Sequence, residues 1–307
     1  MSKPVRQHTV PKVYLKRFSN PQGMLHIYDA EKKQYRQQRP KEVTIEKNFY
    51  TVTSPDGSKD YVIEEILSEF IETEFGVVMD RFLETGKLEK EDKEYLALFV
   101  AFQHLRTPKY REKHSAFLQN AHNKVSKLLL KTHKAHFGKT DFTQQISEEA
   151  LDEIIDLYEN DRVRLEHPPE THLKFMMEFA NQEAYILCQQ NWYFLRPSKG
   201  SKFLTSDHPF YMTRPRDLPE WQGVGLITHG SAKIIPLSPD VCLAIKNDGN
   251  KEISITLTRE QVREINLMTA SSSKRFIIAP DKSLLERVVK SVEHRRSQRK
   301  LKKEPNI

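Results

Sequence analysis

Four stretches of the 307-residue chain carry side chains suited to proton transfer or to gripping an anion. The first, RQHTVPKVYLKRFSN, sets His8 just ahead of an apolar segment. Imidazole changes charge near neutral pH, so a histidine fixed in place can donate or accept a proton. The second, EEILSEFIETE, holds Glu65 and Glu72 seven residues apart, which on a helix puts both on one face. Glu64, Glu69 and Glu74 extend that acidity, as plain solvation of a helix face also would. The third, AFQHLRTPKYR, crowds Gln103, His104, Arg106 and Thr107 into a helix end before Pro108. An arginine there can hold phosphate oxygens by paired hydrogen bonds, although cations are favoured at a helix C-terminus by the dipole alone. The fourth, FLTSDHPF, places Asp207, followed by His208, where a strand meets a loop. That junction is a rigid mount for a reactive carboxylate or an Asx turn in which the side chain caps the backbone.

These residues need elements to position them, and the N-terminus comes first because chain ends fray unless tied down. Tyr14, Leu15 and Phe18 share one face of a short helix, and Pro11 suits its first turn. The alternating run 24–29, with 34–38 as its partner, predicts a small polar-edged β element, with a third short strand around 48–52 and a turn at SPDGS, 54–58. Helical periodicity then predicts helices over 61–83, 91–107, 109–136, 147–165 and 170–189. Tyr95, Leu98, Phe99, Phe102 and Leu105 form the apolar side of the second. From Asn191 the pattern changes to short β-type runs: NWYFLRP, SKFLTSD, AKIIPLSP, VCLAIKN and EISITLT. Thr258 with Gln261 forms a capping box for a helix over 259–270, followed by a strand in KRFIIAP and a helix over 281–299. Helices grouped between two sets of strands define an α+β fold: a central helical block, a small N-terminal β element and a C-terminal antiparallel sheet. The expected organisation is one composite domain over 1–293 and a basic tail over 294–307.

Composition narrows the function classes. No run approaches the length of a membrane-spanning helix, and the first residues lack the apolar core of a secretory leader. Cys188 and Cys242 suit reduced thiols, so the expected setting is cytoplasmic. Most of the net charge of +7 sits in HRRSQRKLKKEPNI, leaving a nearly neutral body. The sequence has no phosphate-cradling glycine loop, no dinucleotide fingerprint, no paired CxxC and no zinc-protease or nucleophile-elbow motif.

The segment QHTVPKVYLKRFS resembles the opening of a bacterial family known as domain of unknown function 4238. The resemblance continues through the paired-glutamate helix, Gln103-x-x-Arg106-Thr107-Pro108, Trp192 with Phe203, Thr205, Ser206, Asp207 and Pro209, the run Pro236–Pro239, and Asn266. It implies shared fold and a set of positions but no reaction. His8, Glu72, Arg106, Asp207 and Asn266 are polar and dispersed along the chain, as a convergent site requires.

Two readings follow. In the first the protein is a nucleic-acid-directed hydrolase, a ribonuclease-like phosphodiesterase with RNA as the favoured partner. His8 is then the general acid or base, and Arg106 stabilises charge building on phosphate. Glu72 and Asp207 orient the histidine or hold Mg²⁺ or Mn²⁺. Gln103, Thr107, Ser206, Asn266, Arg295, Arg296, Arg299 and Lys300 are the candidate substrate contacts. In the second the protein is a non-catalytic nucleic-acid- or protein-binding module, with Arg106, Lys109, Arg111 and the tail on phosphates and Trp192, Tyr193 and Trp221 available for stacking.

Overall fold

The computed structural model describes residues 6–53, 56–139, 141–166 and 168–301. They form two compact units: Met1–Lys109 with Leu173–Ile307, and Tyr110–His172.

The first unit opens with β1 (Arg6–His8), α1 (Lys12–Lys16), the hairpin β2 (Leu25–Asp29) and β3 (Gln34–Gln38), β4 (Ile45–Lys47), and the short strands β5 (Val52–Thr53) and β6 (Lys59–Asp60). The expected helical turn is present as α1, and Val10, Tyr14, Leu15 and Phe18 are fully buried. The Tyr14 ring sits 6.0 Å from both Phe75 and Phe99, which stack on each other at 3.7 Å. Its hydroxyl donates to the Pro236 carbonyl at 2.6 Å and shares a 2.6 Å hydrogen bond with Thr205. These contacts tie down the terminus. β1 was not expected; it pairs antiparallel with β4, His8 opposite Ile45. The strand expected around 48–52 is replaced by a turn between β4 and β5, because Asn48 takes a positive φ of 53° that breaks the extended run. Part of the expected turn, at residues 54 and 55, lies outside the described residues.

A continuous helical run follows as α2 (Val62–Ile66), a π-helical segment (Leu67–Glu72) and α3 (Thr73–Thr85), which ends on Gly86 at φ 71°. Next comes α4 (Lys90–Leu105), buried on most sides toward its C-terminal end; Tyr95, expected on its apolar side, is 47% exposed. The chain continues through α5 (Pro108–Ala135), α6 (Glu148–Glu159) and α7 (Pro169–Cys188). Within the second unit, Ser147 caps α6 by accepting from the Ala150 N–H at 3.1 Å. The helix stops at Glu159 rather than Leu165, since Asp161 adopts φ 50°. The Gln119 side chain binds the segment beyond, accepting from Leu165 N and donating to the Val163 carbonyl.

The first unit resumes within α7, at Leu173, and continues with β7 (Asn191–Pro197), β8 (Thr205–Ser206), β9 (Tyr211–Met212), β10 (Ala232–Ser238), β11 (Val241–Lys246), β12 (Glu252–Leu257), α8 (Arg259–Ser272), β13 (Phe276–Ala279) and α9 (Lys282–Leu301). One sheet runs β12-β7-β11-β10-β9. It is antiparallel except where β12 lies parallel to β7. A second, wholly antiparallel sheet runs β3-β2-β13-β8 and carries the N-terminal hairpin onto a C-terminal strand. The architecture is α+β. One face of the larger sheet, with Trp192, Ile235, Leu243 and Ile245, joins the core containing Tyr14, Phe75 and Phe99; the other packs Cys242 and Ala244 with Val262 of α8. Leu285, Val288, Val289 and Val292 seat α9 against Tyr28 and Ile277. The Thr258–Gln261 capping box forms as expected, and both cysteines are free. Among the described residues no helix is long and apolar enough to cross a membrane.

Candidate functional site around Arg106

Arg106 follows α4 directly and is 1% exposed. Its Nε donates to the Tyr50 hydroxyl at 2.9 Å, Nη2 donates to the His8 carbonyl oxygen at 2.7 Å, and both Nη atoms lie 3.2 Å from Glu72 Oε1. Tyr50 also donates to the His8 carbonyl, at 3.2 Å, and its ring centroid lies 5.2 Å from the guanidinium carbon. The end of β1, the turn before β5, the π-helical segment and the end of α4 thus meet at one cation. Burial alone disfavours that charge, but Tyr50, Glu72 and Glu64 outweigh it and hold Arg106 protonated. A two-pronged grip on phosphate, expected from the sequence, is not open to Arg106, because its donors are spent on protein acceptors. It positions the site instead.

The π-helical segment decides which carboxylates face this cation. Its hydrogen bonds reach one residue further than those of an α-helix, so the register slips within it. Counting through the wider turns, Glu72 returns over Glu64 rather than over Glu65. Glu64 is half-buried and coupled to both Arg106 and Glu72, whereas Glu65 is exposed. The seven-residue spacing read from the sequence therefore paired the wrong glutamate with Glu72.

His8 and Glu64 are displaced in opposite directions. Burial first, then the Lys12 and Arg106 charges, lower the His8 imidazole to about 4; backbone groups of Pro40 and Lys41 pull the other way. Burial raises Glu64 to about 7, opposed by Arg106 and reinforced by Glu72. His8 Nε2 and Glu64 Oε2 are both buried and have no hydrogen-bond partner among the described residues. Near neutral pH the site holds an uncharged imidazole and a carboxyl close to its midpoint. Environments that separate two titratable groups in this way distinguish a proton donor from an acceptor.

The remaining candidates are distributed more widely. Gln103 is fully buried, and neither amide atom has a partner among the described residues. His104 binds Glu183 at 2.7 Å and packs on Phe210, while Thr107 Oγ1 lies 2.6 Å from His208 Nδ1. Neighbouring residues at a helix end point in different directions, so this quartet does not converge on one ligand. Asp207 is not part of the Arg106 cluster's hydrogen bonding. Its carboxylate accepts from the backbone N–H groups of Lys274, Arg275 and Phe276 at 2.9, 2.7 and 3.0 Å. Burial pushes that carboxyl up, against those three donors. Asp207 therefore does cap a backbone turn, but one that is distant in sequence. Ser206 accepts from His208 N at 3.2 Å. Asn266 bridges Leu204 N and the Lys202 carbonyl. Arg295 pairs with Glu264 at 2.8 Å on the surface, while the side chains of Arg296, Arg299 and Lys300 lie outside the described residues. Trp192 is a core residue whose Nε1 donates to the Leu187 carbonyl, Tyr193 donates to Asp248, and Trp221 is 85% exposed.

Glu72 and Asp207 do not fit a shared Mg²⁺ or Mn²⁺ site. One is paired with a guanidinium and the other with three N–H donors, so each already has positive partners. Among the described residues no three His, Cys, Asp or Glu side chains converge as ligands. Sequence reasoning missed Tyr50, which fell in an expected strand, and counted Glu64 only as added acidity. No residue type marks a π-helical turn in advance.

The fold and the site define an α+β protein in which an N-terminal strand, a π-helical segment and a helix end converge on one buried cation. The chain belongs to the family described as Protein of unknown function (DUF4238), whose model matches residues 6–283. No curated protein and no solved structure matches it.

Proposed function

We propose that the protein is a nucleic-acid-directed hydrolase, a ribonuclease-like phosphodiesterase, whose proton transfers fall to Glu64 and His8 beside Arg106. The observation that carries this reading is the opposite displacement of those two groups around one guanidinium, each with a buried atom that has no partner among the described residues. His8, uncharged at neutral pH, takes the proton of an attacking ribose hydroxyl at Nε2. The new O–P bond forms as the bond to the leaving oxygen breaks. His8 is kept neutral partly by Lys12 and Arg106, so an arriving phosphate offsets their charge and raises its proton affinity. Glu64, whose carboxyl keeps its proton up to about pH 7, gives that proton to the leaving oxygen. Arg106 fixes the geometry by clamping the His8 main chain and Glu72. A cytoplasmic setting suits the two free thiols.

The test compares wild type with Glu64→Gln, His8→Ala and Glu65→Gln on total RNA, single-stranded DNA and duplex DNA, with and without Mg²⁺ or Mn²⁺. Turnover lost in the first two variants and kept in the third supports the reading. Equal turnover in wild type and Glu64→Gln overturns it. The enclosure of the Arg106 guanidinium favours a second reading, a non-catalytic binding module, for which the same assay yields no product from any substrate.

A further inference from the structure

A concavity of about 1050 Å³ lies away from Arg106, between α8, α9 and the loop over 198–202. Five cationic side chains line it: Lys202, Arg259, Arg263, Arg287 and Lys290, all exposed. Asp240 and Asp281 are the acidic residues in the lining, and Asp281 is committed to capping α9 through Leu284 N at 2.8 Å and Ser283 at 2.9 Å. The other carboxylates of these helices stand outside the lining. Glu264 pairs with Arg295, Glu286 with Lys282, and Glu293 accepts from Tyr28. Several cations elsewhere in the unit do pair with carboxylates, as in Arg17–Asp80, Arg81–Asp92 and Arg275–Asp29. No ion pair is formed by the five groove cations among the described residues. Signs are therefore segregated: two helices turn bases into the groove and acids away from it. Like charges around a concavity repel, and a chain of phosphates relieves that repulsion. Asn266 shapes the groove from beneath, bridging Leu204 N and the Lys202 carbonyl to hold the loop in place.

We infer that this groove binds the phosphodiester backbone of a single strand of nucleic acid. A positively charged groove that tracks a backbone is the common solution for single strands. Among the described residues no aromatic side chain lines this one, so base stacking contributes nothing and the binding is blind to sequence. The choice of nucleic acid among polyanions rests on the hydrolase reading above, but the site needs no turnover.

The experiment measures fluorescence anisotropy of the full-length protein with labelled 2′-O-methyl oligouridine and with oligothymidine, at 50, 100 and 200 mM salt without divalent ions. Both probes lack a free 2′-hydroxyl, so strand cleavage by the proposed route does not interfere. Arg263→Ala/Lys290→Ala removes two exposed side chains outside the core, and Lys87→Ala serves as a distant control. The double variant is expected to bind about tenfold or more weakly, with the slope of log affinity against log salt reduced by about 1.4 for two lost phosphate contacts. The control should match wild type, as should Glu64→Gln, which separates this inference from the hydrolase reading. Equal binding of both probes supports a backbone track. A double variant within twofold of wild type at an unchanged salt slope overturns it, as does absence of binding at 50 mM salt. Loss of binding in 10 mM inorganic phosphate would reduce the track to a single-phosphate site, and so overturns it too.

Discussion

The carbonyl oxygen of His8 accepts a 2.7 Å hydrogen bond from Arg106 Nη2, joining β1 to the end of α4 across 98 positions of sequence. The same guanidinium holds Glu72, so a single side chain fixes both the strand that carries His8 and the helix that carries Glu64. Arg106→Leu would leave buried acceptors unpaired and should cost about 3 to 5 kcal/mol. Arg106→Lys should lose most of that as well, since an ammonium cannot reproduce the planar fork. Denaturant midpoints decide this, and a lysine variant within about 1 kcal/mol of wild type would contradict the clamp.

The pH dependence of turnover should report Glu64. A carboxyl that donates the proton must be protonated, so activity falls as pH passes about 7. Glu65→Gln should leave that limb unchanged, because Glu65 is exposed on another part of the helix. A limb that remains in Glu64→Gln would assign it to another group.

Stability should depend on pH in opposite senses through the two groups. His8 is lowered, so its folded form resists protonation, and stability falls as pH drops from about 6.5 toward 4. Glu64 is raised, so its folded form resists ionisation, and stability falls as pH climbs from 4.5 toward 7. His8→Gln should therefore retain only the decline with rising pH, and Glu64→Gln only the rise, from these two sites. Thermal midpoints at pH 4.5, 5.5 and 6.5 measure both. A same-signed change relative to wild type in the two variants would refute the assignment.

Asp207→Ala should act on stability rather than chemistry. The backbone N–H groups of Lys274, Arg275 and Phe276 lose their acceptor, at an expected cost of about 2 to 3 kcal/mol. Turnover per folded molecule should stay near wild type. A variant of native stability with abolished turnover would restore Asp207 to the reaction.

Gln103→Met separates ligand contact from packing. The amide is buried without a partner among the described residues, so replacing it with an apolar side chain of similar length should be neutral or stabilising by up to about 1 kcal/mol. If the amide contacts substrate, KM rises while the denaturant midpoint holds. A fall of more than about 2 kcal/mol would show a hydrogen-bond role in the folded protein instead.

Local patterns in the sequence determined the element types. The apolar face of Tyr14, Leu15 and Phe18, the Thr258 capping box and the runs that became β7, β10, β11 and β12 are all readable because each depends on neighbours within a turn or two. The sequence likewise singled out His8, Glu72 and Arg106 as residues whose chemistry needs partners. Which partners they take was decided only by tertiary structure. A π-helical register slip put Glu64 rather than Glu65 beside Glu72, and a three-residue strand too short to show alternation carried the His8 carbonyl to Arg106. Asp207 was drawn to backbone donors some seventy residues away, and Lys202 joined the bases of α8 and α9 around one groove. Periodicity reports the face of one element, whereas convergence depends on how several elements pack, and the spacing along the chain does not contain that packing.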